Sequence, residues 1–145
     1  MSHVIAAIDL KAFYSFVECL DRKLDPFATP LVVCDESRGP GTIVLSVSPF
    51  LKALGVPSRL RKRDLPKRDD IIFAVPRMAR YIEMSAKVVS IFLDFVGEDD
   101  LHVYSIDESF LNLGPYLKLY KSTPRQIVCK ILDKIKKETG LFATA

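Results

Sequence analysis

Cysteine is scarce in this 145-residue chain, and the three present (Cys19, Cys34, Cys129) are far apart with no Cys-x-x-Cys pair. That pattern suggests neither a disulfide framework nor a zinc site, and reduced thiols without a chemical role are expected. Histidine is scarcer still: His3 and His102 leave little scope for imidazole-based metal sites. Long apolar runs are also missing. The longest, Val4 to Ile8 and Ile71 to Val75, have five residues each, against roughly 18 to 20 needed to cross a bilayer. No basic segment leads into a signal-type stretch at the start, because Val4 to Ile8 runs straight into Asp9 and Lys11. The cytoplasm is the expected compartment, with no membrane partner. Internal repeats and low-complexity tracts are absent as well.

What is present is a globular composition, 49% hydrophobic and 27% charged, in a chain long enough to bury one proper core. The net charge of +3 is mild, but its distribution is uneven. Lys52 to Arg68 holds seven basic residues (Lys52, Arg59, Arg61, Lys62, Arg63, Lys67, Arg68) against one acid, Asp64. That segment carries +6 and the remainder −3. A positive field so concentrated suits a polyanion such as nucleic acid or a nucleoside triphosphate, or else marks a solvated basic loop.

Val4 to Ile8 reads as a strand buried on both faces and ending at Asp9. Phe13, Phe16, Val17 and Leu20 follow at helical spacing, so the strand hands over to an amphipathic helix through Asp9-Leu10-Lys11. Leu31 to Cys34 and Thr42 to Val47 read as two strands of a loose hairpin. Ser48-Pro49 opens a short helix that Gly55 closes, and the basic stretch follows as loop. Ile71 to Val75 is a short strand. A long helix then begins near Arg77, with Met78, Ile82, Val89, Phe92 and Val96 on one face. Leu101 to Tyr104 and Ser109 to Leu113 are strands joined by a bend at Ile106-Asp107-Glu108. Thr123-Pro124-Arg125-Gln126 is a capping box opening a helix with Ile127, Val128, Ile131, Leu132 and Ile135 inward. Gly140 stops it, and Leu141 starts a last strand.

The predicted order is βαββαβ with a long insertion, an α+β fold with a ferredoxin-like antiparallel sheet whose first and third strands are central neighbours. In that topology Asp9 and the Asp107-Glu108 bend lie at the same sheet edge. Three carboxylates together repel unless cations compensate them, and oxygen-only ligands favour Mg²⁺ or Mn²⁺. Asp107 and Glu108 share such a site only if the backbone bends, since strand neighbours face opposite ways. Alternatively Asp9 is a helix N-cap and Asp107-Glu108 an ordinary acidic turn. Carboxylates, paired metals and a phosphate-accepting helix start are the parts of two-metal phosphoryl or nucleotidyl transfer.

The segments Ile8-Asp9-Leu10-Lys11-Ala12-Phe13-Tyr14-Ser15-Phe16-Val17-Glu18 and Tyr104-Ser105-Ile106-Asp107-Glu108-Ser109-Phe110 resemble the two catalytic motifs of Y-family, translesion DNA polymerases of the bacterial UmuC-type branch. Leu31-Val32-Val33-Cys34, Gly55-Val56-Pro57-Ser58-Arg59 and Met78-Ala79-Arg80-Tyr81-Ile82-Glu83-Met84-Ser85 fit the interior between them.

The resemblance implies a palm in residues 1–20 and 77–145, a fingers lobe in 21–76, and a cut within the palm's last strand, with thumb and little finger absent. It implies that Asp9, Asp107, Glu108 and the Leu10 backbone carbonyl hold two Mg²⁺ ions, with Mn²⁺ as a substitute. Phe13 and Tyr14 would offer backbone N–H groups to the triphosphate, and Tyr14 takes the place of the steric gate against a ribose 2′-OH. Lys52 falls where a basic residue meets the phosphates. Many members carry Tyr and Arg where this chain has Pro49 and Lys52, which replaces a hydroxyl contact and a bidentate fork with a single point charge. Leu45 and Val47 would roof the base pair, and Arg59, Arg61, Lys62 and Arg63 would contact DNA. Primer-template DNA and dNTP are the implied partners, in DNA repair under an SOS response, with a sliding clamp or recombinase filament recruited through missing regions. Such a fragment is expected to extend primers poorly or not at all. Two other readings remain: a nucleotide cyclase using the same sheet, and a non-catalytic interaction domain with an acidic pocket.

Overall fold

The computed structural model describes residues 3–145. The chain divides into two units, one of residues 3–11 with Ile82–Ala145 and the other Ala12–Tyr81. The second unit contains the whole of the expected 21–76 insertion and adds the first helix and the first turn of the long one.

In the first unit, β1 (Ile5–Leu10), β7 (Leu101–Val103), β8 (Glu108–Asn112) and β9 (Ala143–Thr144) form a four-stranded sheet in the order β7-β8-β1-β9. All three pairings are antiparallel, and β1 and β8 are the central neighbours, as the βαββαβ reading requires. β1 is not buried on both faces: Ala6, Ile8 and Leu10 are buried while Ile5, Ala7 and Asp9 are exposed. Two alanines in the run ask for little burial, and an antiparallel sheet tolerates one open face. β8 alternates in phase, with Ser109 and Leu111 inward.

α4 (Pro124–Thr139) starts as predicted: the Thr123 hydroxyl accepts from the Gln126 N–H at 3.2 Å and the Gln126 side chain accepts from the Thr123 N–H at 2.9 Å. It buries Ile127, Ile131 and Ile135, then ends at Gly140 with φ 79°, a left-handed conformation cheap only for glycine. α3 (Met78–Leu93) departs from the predicted face. Tyr81, Met84, Val88, Ile91 and Phe92 are buried, whereas Met78 and Ile82 are exposed. The inward stripe is set by Tyr81, whose polar tip has a buried partner.

The second unit begins with α1 (Phe13–Asp21), which buries Phe13, Phe16, Val17 and Cys19. β2 (Leu31–Val33) lies between β4 (Ser46–Val47), antiparallel, and β6 (Ile72–Ala74), parallel. The expected hairpin is therefore present, but its second arm breaks at Leu45. The preceding β3 (Ile43–Val44) pairs instead with β5 (Leu60–Arg61), so part of the basic stretch read as loop is a short strand. Val32, Cys34, Val44, Val47, Leu51 and Val56 form the core here. α2 (Pro49–Ala53) is capped by Ser48, whose buried Oγ donates to the Thr29 carbonyl at 2.7 Å and accepts from the Leu31 N–H at 3.2 Å. Among the described residues no helix is long and apolar enough to cross a membrane. Cys19 and Cys34 are buried, Cys129 is exposed, and all three are free thiols. Burial pushes the Cys19 thiol up to about 11, so it stays protonated and inert.

Candidate active site

Within the first unit, Asp9 and Glu108 are cross-strand partners in the β1–β8 ladder. The next pair along is joined by the Leu10 N–H donating to the Asp107 carbonyl at 2.8 Å. Asp9 and Glu108 thus occupy a position between ladder hydrogen bonds, where opposed side chains approach most closely. Both lie on the open face. Asp107 belongs to the bend between β7 and β8, and its carboxylate accepts from the Ser105 hydroxyl at 3.0 Å. Ser85 on α3 fastens the same bend by donating to the Ile106 carbonyl at 2.6 Å. The structure therefore brings Asp9 and Glu108 together and leaves Asp107 turned into its own loop. Among the described residues no three His, Cys, Asp or Glu side chains gather closely enough to form a ligand cluster. The donor chemistry fits a hard divalent cation nonetheless, because two opposed carboxylates with a third one residue away supply oxygen ligands and negative charge only. Beside them the open face continues as an aromatic strip, in which His102 stacks on Phe110 with centroids 6.3 Å apart and Tyr104 meets the same ring edge-on at 5.9 Å.

Asp9 is not the N-cap of α1. That position belongs to Ala12, in left-handed conformation at φ 45°, ψ 48°, and no side-chain cap forms. The Ser15 N–H of the first turn is taken by the Ser46 hydroxyl of β4 at 3.0 Å, and that hydroxyl donates to Ser15 Oγ at 2.9 Å. These bonds hold the first turn of α1 against the sheet of the second unit and so fix where Phe13 and Tyr14 stand. Phe13 is buried and Tyr14 half-buried. The Tyr14 ring stacks on Tyr81, with centroids 4.4 Å apart and planes 18° apart.

Tyr81 in turn donates its hydroxyl to buried Glu18 at 2.6 Å. Arg77 reaches Glu18 with two nitrogens, at 3.0 and 2.8 Å, and Arg22 adds a third guanidinium contact at 2.5 Å. Burial alone would raise the Glu18 carboxyl, but the bonds from Arg77, Tyr81 and Arg22 and the charge of Arg77 hold it below its ordinary value. Asp21 is likewise lowered, chiefly by Arg80, which it accepts from at 2.9 Å. This network was not singled out in the sequence. Its one local sign is the Glu18–Arg22 spacing of four; the contacts to Arg77 and Tyr81 lie 59 and 63 residues away.

Lys52 is exposed on α2, and Pro49 is buried at its start. Val47 is buried and Leu45 exposed. Leu45 borders an open cleft of about 660 Å³ with Asp35, Arg38, Thr42, Ile43, Val75 and Pro76, and a second of about 480 Å³ with Ile43, Arg59, Arg61, Arg63 and Asp64. Of the four basic residues expected on DNA, Arg59 and Arg63 are exposed and have no acidic partner among the described residues. Arg61 donates to the Gly41 carbonyl at 2.6 Å. Lys62 pairs with Glu36 at 3.4 Å and sits over the Phe73 ring at 5.4 Å.

Residues 8–145 match the model of the impB/mucB/samB family. The putative UV-damage repair protein UvrX of Bacillus subtilis is 33% identical over 141 residues, covering 97% of this chain and 32% of that protein. A DNA polymerase IV of Treponema denticola is 36% identical over 138 residues, covering 92% and 33%. The DNA repair protein homolog YozK of Bacillus subtilis is 33% identical over 104 residues, covering 71% of this chain and 90% of that shorter protein. The chain thus spans about a third of the length of UvrX and of the polymerase IV protein. Among solved structures, a Y-family DNA polymerase chimera of Dbh and Dpo4 matches with a TM-score of 0.81 at 21% identity, over 99% of this chain and 41% of that one. DinB from Sulfolobus solfataricus matches with 0.79, also at 21% identity, over the same shares.

Proposed function

This chain belongs to the impB/mucB/samB family, and on that premise we propose that it is the palm and fingers portion of a template-directed DNA polymerase of the lesion-bypass class. The reaction is nucleotidyl transfer from a dNTP to a primer 3′-OH, with release of pyrophosphate. The observation that carries the reading is the Asp9–Glu108 pair, with Asp107 one residue along, at the end of β1 that leads into α1.

Asp9, Asp107, Glu108 and the Leu10 carbonyl would hold two Mg²⁺ ions, or Mn²⁺. Such a pair supplies charge stabilisation to the attacking and leaving oxygens of an in-line displacement. The chain's own part is positioning. α1 presents the positive end of its dipole without a side-chain cap, and Phe13 and Tyr14 would receive triphosphate oxygens there. Lys52 would add a point charge to that grip. Tyr14 would place its ring beneath the sugar and exclude a 2′-OH. Leu45 would face the base pair, Val47 being a core residue instead, and Arg59, Arg61 and Arg63 the template backbone, with Lys62 contributing less because Glu36 already engages it. A sliding clamp or recombinase filament would be recruited by regions outside this chain.

Calorimetric titration of the chain with dATP and Mg²⁺ tests this reading. Binding is expected for the native sequence and is lost in Asp9→Asn and Asp107→Ala variants that keep their melting curves, while extension of a primer-template by the chain alone is weak or nil. Undiminished binding by both variants would remove the carboxylates from the site, and a cyclic product from a lone nucleotide would point to a cyclase. The Tyr14 ring speaks against that outcome, since a ribonucleotide is the substrate it would clash with.

A further inference from the structure

The Tyr14 ring is part of a stack that ends in a buried charge. Tyr81 lies parallel to it at 4.4 Å and is itself fully buried. The phenol oxygen of a tyrosine lies on the axis of its ring, so a bond to it leaves flips about that axis possible but fixes where the far end of the ring stands, and here that oxygen is tied to Glu18 at 2.6 Å. Glu18 cannot shift to follow it, because Arg77 grips both carboxylate oxygens and Arg22 one of them. Arg77 is held a second time by Asp21 at 2.6 Å. Phe13 closes the group from the side, 5.7 Å from Tyr14 and 6.3 Å edge-on to Tyr81.

We infer that Glu18 and Tyr81 are positioning residues for Tyr14, and that sugar discrimination depends on this buried carboxylate acting through the two-ring stack. The inference rests on the reading of Tyr14 as the ring beneath the sugar. A ring excludes one hydroxyl group only if it stays within a fraction of an ångström of its place, and a half-buried side chain does so only when neighbours lock its rotamer. Glu18, three contacts away from the nucleotide, would supply that lock: carboxylate to phenol, phenol to ring, ring to sugar.

The deciding variant is Tyr81→Phe, which keeps the ring volume and removes only the hydroxyl; Tyr81→Leu removes the ring as well. Two readouts separate positioning from simple stability. In the first, 3-fluorotyrosine is placed at position 14 and its fluorine signal recorded without nucleotide. A shifted signal from a slowly flipping ring is expected in the native chain. In Tyr81→Phe, whose ring is no longer anchored at its far end, the Tyr14 flip should speed up by roughly tenfold, and in Tyr81→Leu the ring-current shift should shrink to the share that Phe13 supplies. In the second, dissociation constants for ATP and dATP with Mg²⁺ are compared. Their ratio should fall by roughly fivefold or more in Tyr81→Phe with dATP affinity nearly unchanged, and collapse in Tyr14→Ala.

Fluorine signals indistinguishable from native in both Tyr81 variants would overturn the positioning claim. So would an unchanged ratio in those variants when Tyr14→Ala collapses it. A ratio insensitive to Tyr14→Ala, or a native chain binding neither nucleotide, would instead overturn the gate reading and the sugar-selection half of the inference, while the fluorine signals still decide the positioning half.

Discussion

Asp9 and Glu108 face each other across adjacent central strands, on the open side of the sheet and between ladder hydrogen bonds. Like charges directly opposite destabilise an antiparallel pair. Glu108→Gln should therefore stabilise the metal-free chain, by about 0.5 kcal/mol, and abolish the stabilisation by Mg²⁺ that is expected of the native sequence. Urea unfolding with and without Mg²⁺ checks both halves, and a destabilised metal-free variant would contradict the repulsion.

The Glu18 network calls for the opposite response. Its carboxylate is fully buried with three partners, so Glu18→Ala leaves the buried Tyr81 hydroxyl without its acceptor and Arg77 with Asp21 alone, and should cost about 1–3 kcal/mol. Denaturant midpoints at neutral pH measure this, and a loss under about 1 kcal/mol would show that the site relaxes around the deletion.

Acid should act through the same groups. Glu18 and Asp21 are held below their ordinary values of 4.5 and 3.8. A carboxyl depressed in the folded state contributes stability that is complete above its unfolded value and is lost as pH falls through the folded one. The chain should keep constant stability from neutrality to about pH 5 and lose it progressively below pH 4, with a shallower loss in Arg77→Gln. Equilibrium unfolding at a series of pH values gives the slope, and an acid profile unchanged by Arg77→Gln would remove these groups as its cause.

The basic stretch should divide by function. Arg59→Ala and Arg63→Ala are each expected to weaken single-stranded DNA binding and reduce the salt slope by about 0.7. Lys62→Ala should change the slope less and stability more, since Glu36 and Phe73 already hold that side chain. Equal slopes for all three variants would mean that the Glu36 pair opens on binding.

Thr123→Ala removes one half of the capping box of α4 and should cost about 1 kcal/mol. Thermal unfolding measures it, and Thr123→Ser should recover most of the loss.

Local chemistry made much of this fold readable in the sequence. Ser48-Pro49, the Thr123 to Gln126 box and Gly140 each mark a helix end by a bond that nearby residues make, and the strands around Asp9 and Glu108 follow from their apolar runs, although a continuous run conceals that β1 leaves one face open. Less of the second unit was readable. Two-residue strands such as Ile43–Val44 and Leu60–Arg61 are too short to show a period, so their pairing is decided only by the assembled lobe. Hydropathy places Met78 and Ile82 on the inward face of α3 because it ranks them above Tyr81, whereas the fold buries the residue whose polar end is satisfied. Glu18 is illegible in the sequence for the complementary reason. A glutamate on an amphipathic helix reads as solvated until an arginine and a tyrosine arrive from far along the chain.

The Glu18–Arg77 ion pair ties together two residues 59 positions apart, near the two ends of the second unit. Everything between them is, in polymer terms, a closed ring with its junction already made. Lengthening a ring costs little, about 0.6 kcal/mol for each doubling of a flexible segment. The stretch from Asp35 to Thr42 can thus gain or lose residues without disturbing the junction, which leaves that side of the lobe free to change size while the ring carried by Tyr14 keeps its place.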